Sequence, residues 1–309
     1  MYAARGRLYT AGVQRATTRD RGASRRRAEQ RARALGAVEA WYGRFDPQEA
    51  VARDPVEIVR SYPHPADREL VALLAALMAF GRVETIRAKL RSLLGRLGPN
   101  PAAAVRSRSR DELVALLAGF RHRTFRGEDI AALLWAAGSV QARDGSLYAA
   151  LAVAVQKAGT LREPLAAWVE ELRALAWPAG LTRAARHLVP DPAGPSASKR
   201  LLLLMRWVAR PDDGADLGLA AIPTRALVMP LDVHIHRIAR NLGFTARGDA
   251  SWRTAEEVTE ALRGLSPDDP VRYDLAVCHL GIARRCPSAR DPVRCEGCAL
   301  QAVCVHWEG

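Results

Sequence analysis

Lysine is almost missing from this chain: of its 46 basic residues only Lys89, Lys157 and Lys199 are lysines, and the other 43 are arginines. A reaction that needs an amine nucleophile has few side chains to draw on. Cysteine is absent from the first 277 residues, which leaves Cys278, Cys286, Cys295, Cys298 and Cys304 crowded at the end and argues against a disulfide scaffold. Long apolar runs are lacking as well, since Arg, Glu or Pro interrupts each of them within about 12 residues, short of a membrane-spanning helix. Acid is scarce relative to base: 33 Asp+Glu face 46 Lys+Arg, a net charge of +13. That excess points to a polyanionic partner.

The excess is unevenly placed. Residues 1–34 hold ten arginines against Asp20 and Glu29, a balance of +8. On composition, residues 1–36 read as a basic disordered tail. Its acid-poor, Arg- and Ser/Thr-rich make-up also fits an organellar transit peptide. The preference for arginine and alanine along the whole chain points instead to a bacterial cytoplasmic, nucleoid-associated protein.

What is present in quantity is helical spacing. At 309 residues and 49% hydrophobic content the chain can form one large domain or two of ordinary size. Short helical patterns at 37–45 and 55–62 lead to the proline-marked boundary SYPHPADRE. Apolar positions 70, 71, 73, 74, 77, 78 and 80 then predict a buried helix, which Gly81 ends before an amphipathic one at 82–97. Further helices are predicted at 111–117, 128–141, 146–156 with Ser146 as N-cap, 164–175 and 181–189. After the turn PDPAGPSAS, Leu201–Val208 is greasy on nearly every side apart from Arg206 and predicts a second buried helix. Leu231, Ile235, Ile238 and Leu242 recur at helical spacing, with Asp232 just inside the Pro230 break as a natural N-cap. Thr254 and Glu257 have capping-box spacing, and Pro270 suits the first turn of a helix to Arg284. The chain reads as all-α, with roughly a dozen helices and no internal repeat.

Lys199 and Asp232 thus each stand at the start of a helix. Lys89 reads as one solvated charge on an amphipathic face, and Lys157 as a cation at a helix end. Lys199 is either an exposed first-turn lysine or a nucleophile set at the mouth of a buried helix. Arg121, His122, Arg123 and Arg126 alternate with Phe120 and Phe125 in RHRTFRGED. Such a mix grips phosphates and stacks on bases, or it is a solvated loop with its rings tucked inward. The PDDGAD turn reads as a surface loop ahead of a divalent-ion site. Cys286, Cys295, Cys298 and Cys304 are separated by eight, two and five residues. With only one Cys-x-x-Cys pair, this spacing fits a [4Fe–4S] cluster, with zinc as the alternative. Arg284, Arg285, Arg290 and Arg294 surround those cysteines and make a basic loop suited to phosphates. Cys278, inside a helix, reads as an inert buried thiol.

These features resemble the helix-hairpin-helix DNA glycosylases of the endonuclease III superfamily. The resemblance rests on Pro230, Asp232, His234 and Arg237 in the aspartate segment, Lys199 at a helix start, and the four C-terminal cysteines. It implies a two-lobed helical fold, with residues 67–227 as a barrel-like lobe and 37–66 plus 228–309 as the lobe that carries a [4Fe–4S] loop. It implies a monomeric base-excision repair glycosylase acting on a damaged base flipped from duplex DNA, with AP lyase activity. Lys199 would attack the sugar, Asp232 would stabilise the cationic sugar, and Cys286, Cys295, Cys298 and Cys304 would hold the cluster. Gly81 and Arg82 occupy the turn from which a residue enters the base stack, and Gly194 is what remains of the hairpin glycines that bind phosphate. The sequence departs from the family in that hairpin, in the 33 positions between Lys199 and Asp232, and in the eight-residue first cysteine loop. A monofunctional glycosylase using Asp232 and water, and a non-catalytic iron–sulfur nucleic-acid-binding protein, are the alternatives.

Overall fold

The computed structural model of the protein describes residues 25–307, and helices supply nearly all of its regular structure. Helix α1 runs through residues 25–42. Residues 1–24 of the expected tail lie outside the described residues, while 25–36, read as disordered, are helical. A stripe explains the difference: Ala34 and Val38 are fully buried, Trp41 Nε1 donates to Ala276 O at 2.9 Å, and Gln30 Nε2 donates to Val303 O at 2.7 Å. Docking that stripe offsets the repulsion among the arginines on the outer face.

The remaining helices are α2 (Pro47–Arg53), α3 (Val56–Arg60), α4 (Pro65–Leu77), α5 (Val83–Leu97), α6 (Pro101–Arg106) and α7 (Arg110–Leu116). A two-stranded antiparallel hairpin, Arg121–His122 with Phe125–Arg126, follows in place of the expected loop. Then come α8 (Gly127–Asp144), α9 (Ala149–Ala158), α10 (Arg162–Ala176), α11 (Arg183–Leu188), α12 (Lys199–Ala209), α13 (Val233–Asn241), α14 (Trp252–Arg263), α15 (Asp274–Arg284) and α16 (Pro292–Cys295). Helices α4 and α12, the two greasy stretches, pack on one another; α8 receives α6, α7 and α10; and α13 packs on α15, which also meets α2. One apolar core runs without a break from Ala34 to Val303. Leu70, Leu73, Leu74 and Leu77 of α4 are fully buried, each contributing roughly 1.5–3 kcal/mol relative to exposure. Among the described residues no helix is long and apolar enough to cross a membrane.

Three local expectations are corrected. Ser251, not Thr254, caps α14, its hydroxyl accepting from Thr254 N at 3.3 Å, so the helix begins at Trp252. Pro270 lies in the turn ahead of α15. Ser146 does not cap α9; its hydroxyl donates to Glu69 Oε1 at 2.5 Å, a buried carboxylate that also accepts from Leu147 N at 2.8 Å. Arg206, the one polar interruption of the Leu201–Val208 run, is itself buried and bonds Asp216 at 3.0 Å and Asp274. Arg210 joins this network through Asp216, Asp213 at 3.1 Å and Asp269 at 2.9 Å, so the PDDGAD turn is a surface loop over residues 211–214, as expected, whose last residue, Asp216, is a buried counter-ion. Burial opposes the charge on both guanidiniums, and the carboxylates outweigh it, holding both above the usual arginine range.

Candidate functional site

The turn before α12 fixes how its first residues face. Ser198 takes a left-handed conformation at φ +47° and its hydroxyl donates to Asp191 O at 3.1 Å. Arg162 Nε donates to Pro192 O at 3.0 Å, and Ala197 N donates to Ala250 O at 3.0 Å, tying the turn from both sides. Arg200 then points inward, where it donates to Leu77 O and His187 O and lies 5.8 Å from the Phe125 ring. Burial pulls its pKa down to about 10.

Lys199, one residue earlier, points the other way and reaches Asp232. Its Nζ stands 4.0 Å from Asp232 Oδ2, with the lysine side chain 36% and the aspartate 14% exposed. The two carboxylate oxygens have separate partners. Oδ1 accepts from His234 N at 2.9 Å and Ile235 N at 2.7 Å, capping α13 as expected. Oδ2 faces Lys199 and accepts from the Cys278 thiol at 3.4 Å. Burial, then the charge of Asp232, pushes that thiol well above the ordinary cysteine range, so it serves as a donor. Cys278 thus keeps its proton, as the inert thiol expected would, and in addition it contacts the carboxylate of the site. No local signal shows this, because the contact spans 46 residues and depends on how α15 meets α13.

That meeting depends on Gly281. A methyl group there would stand 2.9 Å from His234 Cβ and 3.1 Å from Ile238 Cδ1, so only a residue without a side chain lets the helices come so close. The approach also brings Asp274 near the pair. Burial lifts its carboxyl to about 6, with the charge of Asp232 adding and Arg206 opposing. The other lysines lie elsewhere: Lys89 Nζ is 5.9 Å from the Phe120 ring centroid, and Lys157 sits in the last turn of α9.

The four C-terminal cysteines surround one cavity. Cys286, Cys295, Cys298 and Cys304 line it together with apolar walls that include Ile238, Leu242, Leu280 and Leu300. Burial pushes the Cys286 thiol up to about 11. Asn241, at the end of α13, bonds both ends of the segment: its Nδ2 donates to Cys286 Sγ at 3.4 Å and Pro287 O at 3.0 Å, and its backbone oxygen accepts from Val305 N at 2.8 Å. Among the described residues no three His, Cys, Asp or Glu side chains are grouped closely enough to hold a metal ion. The donor set itself, four thiols on a mostly apolar cavity, has the chemistry that a four-thiolate cluster requires.

The residues expected to meet DNA divide into two groups. Arg82, Arg121, Arg123 and Arg126 are exposed, and the Arg123 guanidinium lies 4.6 Å over the Phe80 ring beside Gly81. Phe120 and Phe125 are buried in the core, so neither offers a face for base stacking. Of the arginines around the cysteines, Arg284 donates to Glu296 O and Gly297 O, both at 2.9 Å, Arg290 stacks 4.2 Å over Trp307, and Arg294 pairs with Asp291 at 3.4 Å. These three brace the loop itself, while Arg285 closes α15 in a left-handed conformation and is exposed. Gly194 departs from the expected phosphate cradle, because its N–H donates to Asp191 O at 3.1 Å within its own turn.

No curated protein matches the chain. A family model described as a protein of unknown function, DUF2400, matches residues 54–283, a span that includes Lys199, Asp232, Cys278 and Gly281 and stops short of Cys286. With most of its length matched, the chain belongs to the DUF2400 family.

Proposed function

We propose that the protein excises a damaged base from duplex DNA through Lys199 and Asp232, with the lysine also able to open the strand. One observation carries this reading: an amine and a carboxylate 33 residues apart in sequence stand 4.0 Å apart, each at a helix start and each reachable from solvent. The deprotonated Lys199 Nζ attacks the sugar C1′ carbon as the glycosidic bond breaks, and the base leaves with the bonding electrons. Asp232 takes the ammonium proton, passes it to the departing base, and as a carboxylate faces the positive charge that develops on the sugar. The ring C1′–O4′ bond then breaks with its electrons going to O4′, which takes a proton from solvent, and the protonated Schiff base left between Lys199 and C1′ loses a C2′ proton and expels the 3′ phosphate with the C3′–O3′ bonding electrons. The Cys278 thiol positions Asp232 Oδ2. Cys286, Cys295, Cys298 and Cys304 would hold the iron–sulfur cluster, whose contribution when bound is to brace the C-terminal segment. The exposed Arg82, Arg123 and Arg126 supply cations for the phosphates beside the flipped nucleotide.

Borohydride trapping tests this directly. The protein incubated with duplex containing an abasic site or 8-oxoguanine should form a covalent adduct on reduction, which Lys199→Ala abolishes while Lys89→Ala and Lys157→Ala retain it. Trapping that persists in Lys199→Ala removes the amine from the chemistry. Excision without trapping, lost in Asp232→Asn, would instead assign a water nucleophile.

A further inference from the structure

Along the outer face of α13 runs a groove whose other wall is α1. Arg26, Arg27 and Arg31 of α1 and Arg237 and Arg240 of α13 line it, and Ser288, Val305 and His306 of the cysteine segment close one side. Among the described residues lining it there is no carboxylate. Glu29, the acid on this part of α1, is engaged with Arg25 at 2.8 Å. Arg26, Arg27, Arg31 and Arg240 are exposed, and Arg237 gives one bond to Cys286 O at 2.8 Å. Because Gln30, Ala34 and Trp41 dock α1, these charges are held in place and not averaged over a loose tail.

Like charges gathered in a concave surface repel one another and are satisfied by a polyanion. Its kind follows from what else lines the groove. No Phe, Tyr or Trp ring is present, so the stacking on which single-strand binding depends is missing and the contacts match a backbone of phosphates. Direction follows from Val233, which lines the groove as the first residue of α13, is 68% exposed and is adjacent in sequence to Asp232. We infer that this groove carries the phosphodiester backbone of duplex DNA away from the Lys199–Asp232 pair. The inference rests on the reading of that pair as a DNA-processing site for the identity of its partner. Helix α1 lies outside the family-matched span, so the contact is one that the family match does not describe.

The experiment uses the full chain with Arg26, Arg27 and Arg31 all replaced by Ala, a good helix former, against a control in which Arg44, Arg53 and Arg225 are replaced. Binding to a plain duplex and to a single strand is measured across a salt series. Each phosphate contact contributes about 0.9 to the slope of log affinity against log salt, so the groove variant should lose about 2–3 from the duplex slope and at least about tenfold in affinity. The control should lose less, and trapping at saturating abasic duplex should be unchanged in the groove variant. Equal slopes for groove variant and control overturn the inference. So does groove-dependent binding to phosphatidylglycerol vesicles with none to duplex. Failure of the two proposals is distinguishable: loss of trapping in the unmodified protein with an intact groove effect rejects the chemistry alone, and intact trapping with no groove effect rejects the groove alone.

Discussion

Asp232→Asn separates the two tasks of one side chain. The cap is made through Oδ1, to His234 N at 2.9 Å and Ile235 N at 2.7 Å, and an asparagine carbonyl oxygen can keep both bonds. What changes is the position of Oδ2, where an amide NH2 would face the Lys199 ammonium and the Cys278 thiol, two donors with no acceptor between them. At 4 Å and an effective dielectric constant near 20, the lost attraction is about 4 kcal/mol, and the 36% exposure of Lys199 reduces it to roughly 1–2 kcal/mol. The unfolding free energy should therefore fall by no more than about 1–2 kcal/mol, whereas Asp232→Ala loses the cap too, a further 1 kcal/mol or so. Reactivity should respond more strongly, because a charge aimed at a developing cation acts in the transition state, with losses on the order of 100- to 1,000-fold. Urea melts of both variants paired with single-turnover borohydride trapping separate the effects. Asn at position 232 trapping abasic duplex as fast as the unmodified protein would refute the electrostatic role and leave Asp232 as a cap only.

Gly281→Ala should destabilise by about 1–3 kcal/mol, since its new methyl group would stand 2.9 Å from His234 Cβ, and should slow trapping as α13 is pushed off α15; thermal melts with trapping rates check both. Asp274 gives a pH signature. Its folded-state pKa of about 6 lies above the ordinary 3.8, so its contribution is fully present below 3.8 and is lost as pH rises through about 6. Urea midpoints across that window should decline less steeply in Asp274→Asn than in the unmodified protein. Protein purified without oxygen should be brown with about four irons per chain, and Cys298→Ser should lose both iron and melting temperature; metal analysis showing stoichiometric zinc and no iron would assign the thiols to zinc instead.

Patterning made much of this legible. The rarity of lysine singles out Lys199, and Asp232, two residues after Pro230, is the cap of α13 at the position expected. The buried helices α4 and α12 followed from apolar runs that have no polar face. Less visible were features produced by tertiary contact. Arg206 reads as the polar interruption of the Leu201–Val208 run yet is neutralised by aspartates from a turn and from α15. Composition hid α1, since nothing local reveals that Ala34 and Val38 have a surface to dock on. Competing caps misplaced the start of α14, where Ser251 and Thr254 both have suitable side chains. Cys278 could not be assigned to Asp232 without knowing that Gly281 allows the close approach.

Helix α13 opens on the carboxylate and closes on Asn241, whose side chain fastens Cys286 and Pro287 and whose backbone oxygen fastens Val305. Nine residues of helix form a strut only about 13 Å long, too short to bend appreciably. Displacing the thiol-bearing end must therefore tilt the far end, and the alignment of Asp232 with its amine depends on how firmly the last twenty or so residues of the chain are anchored.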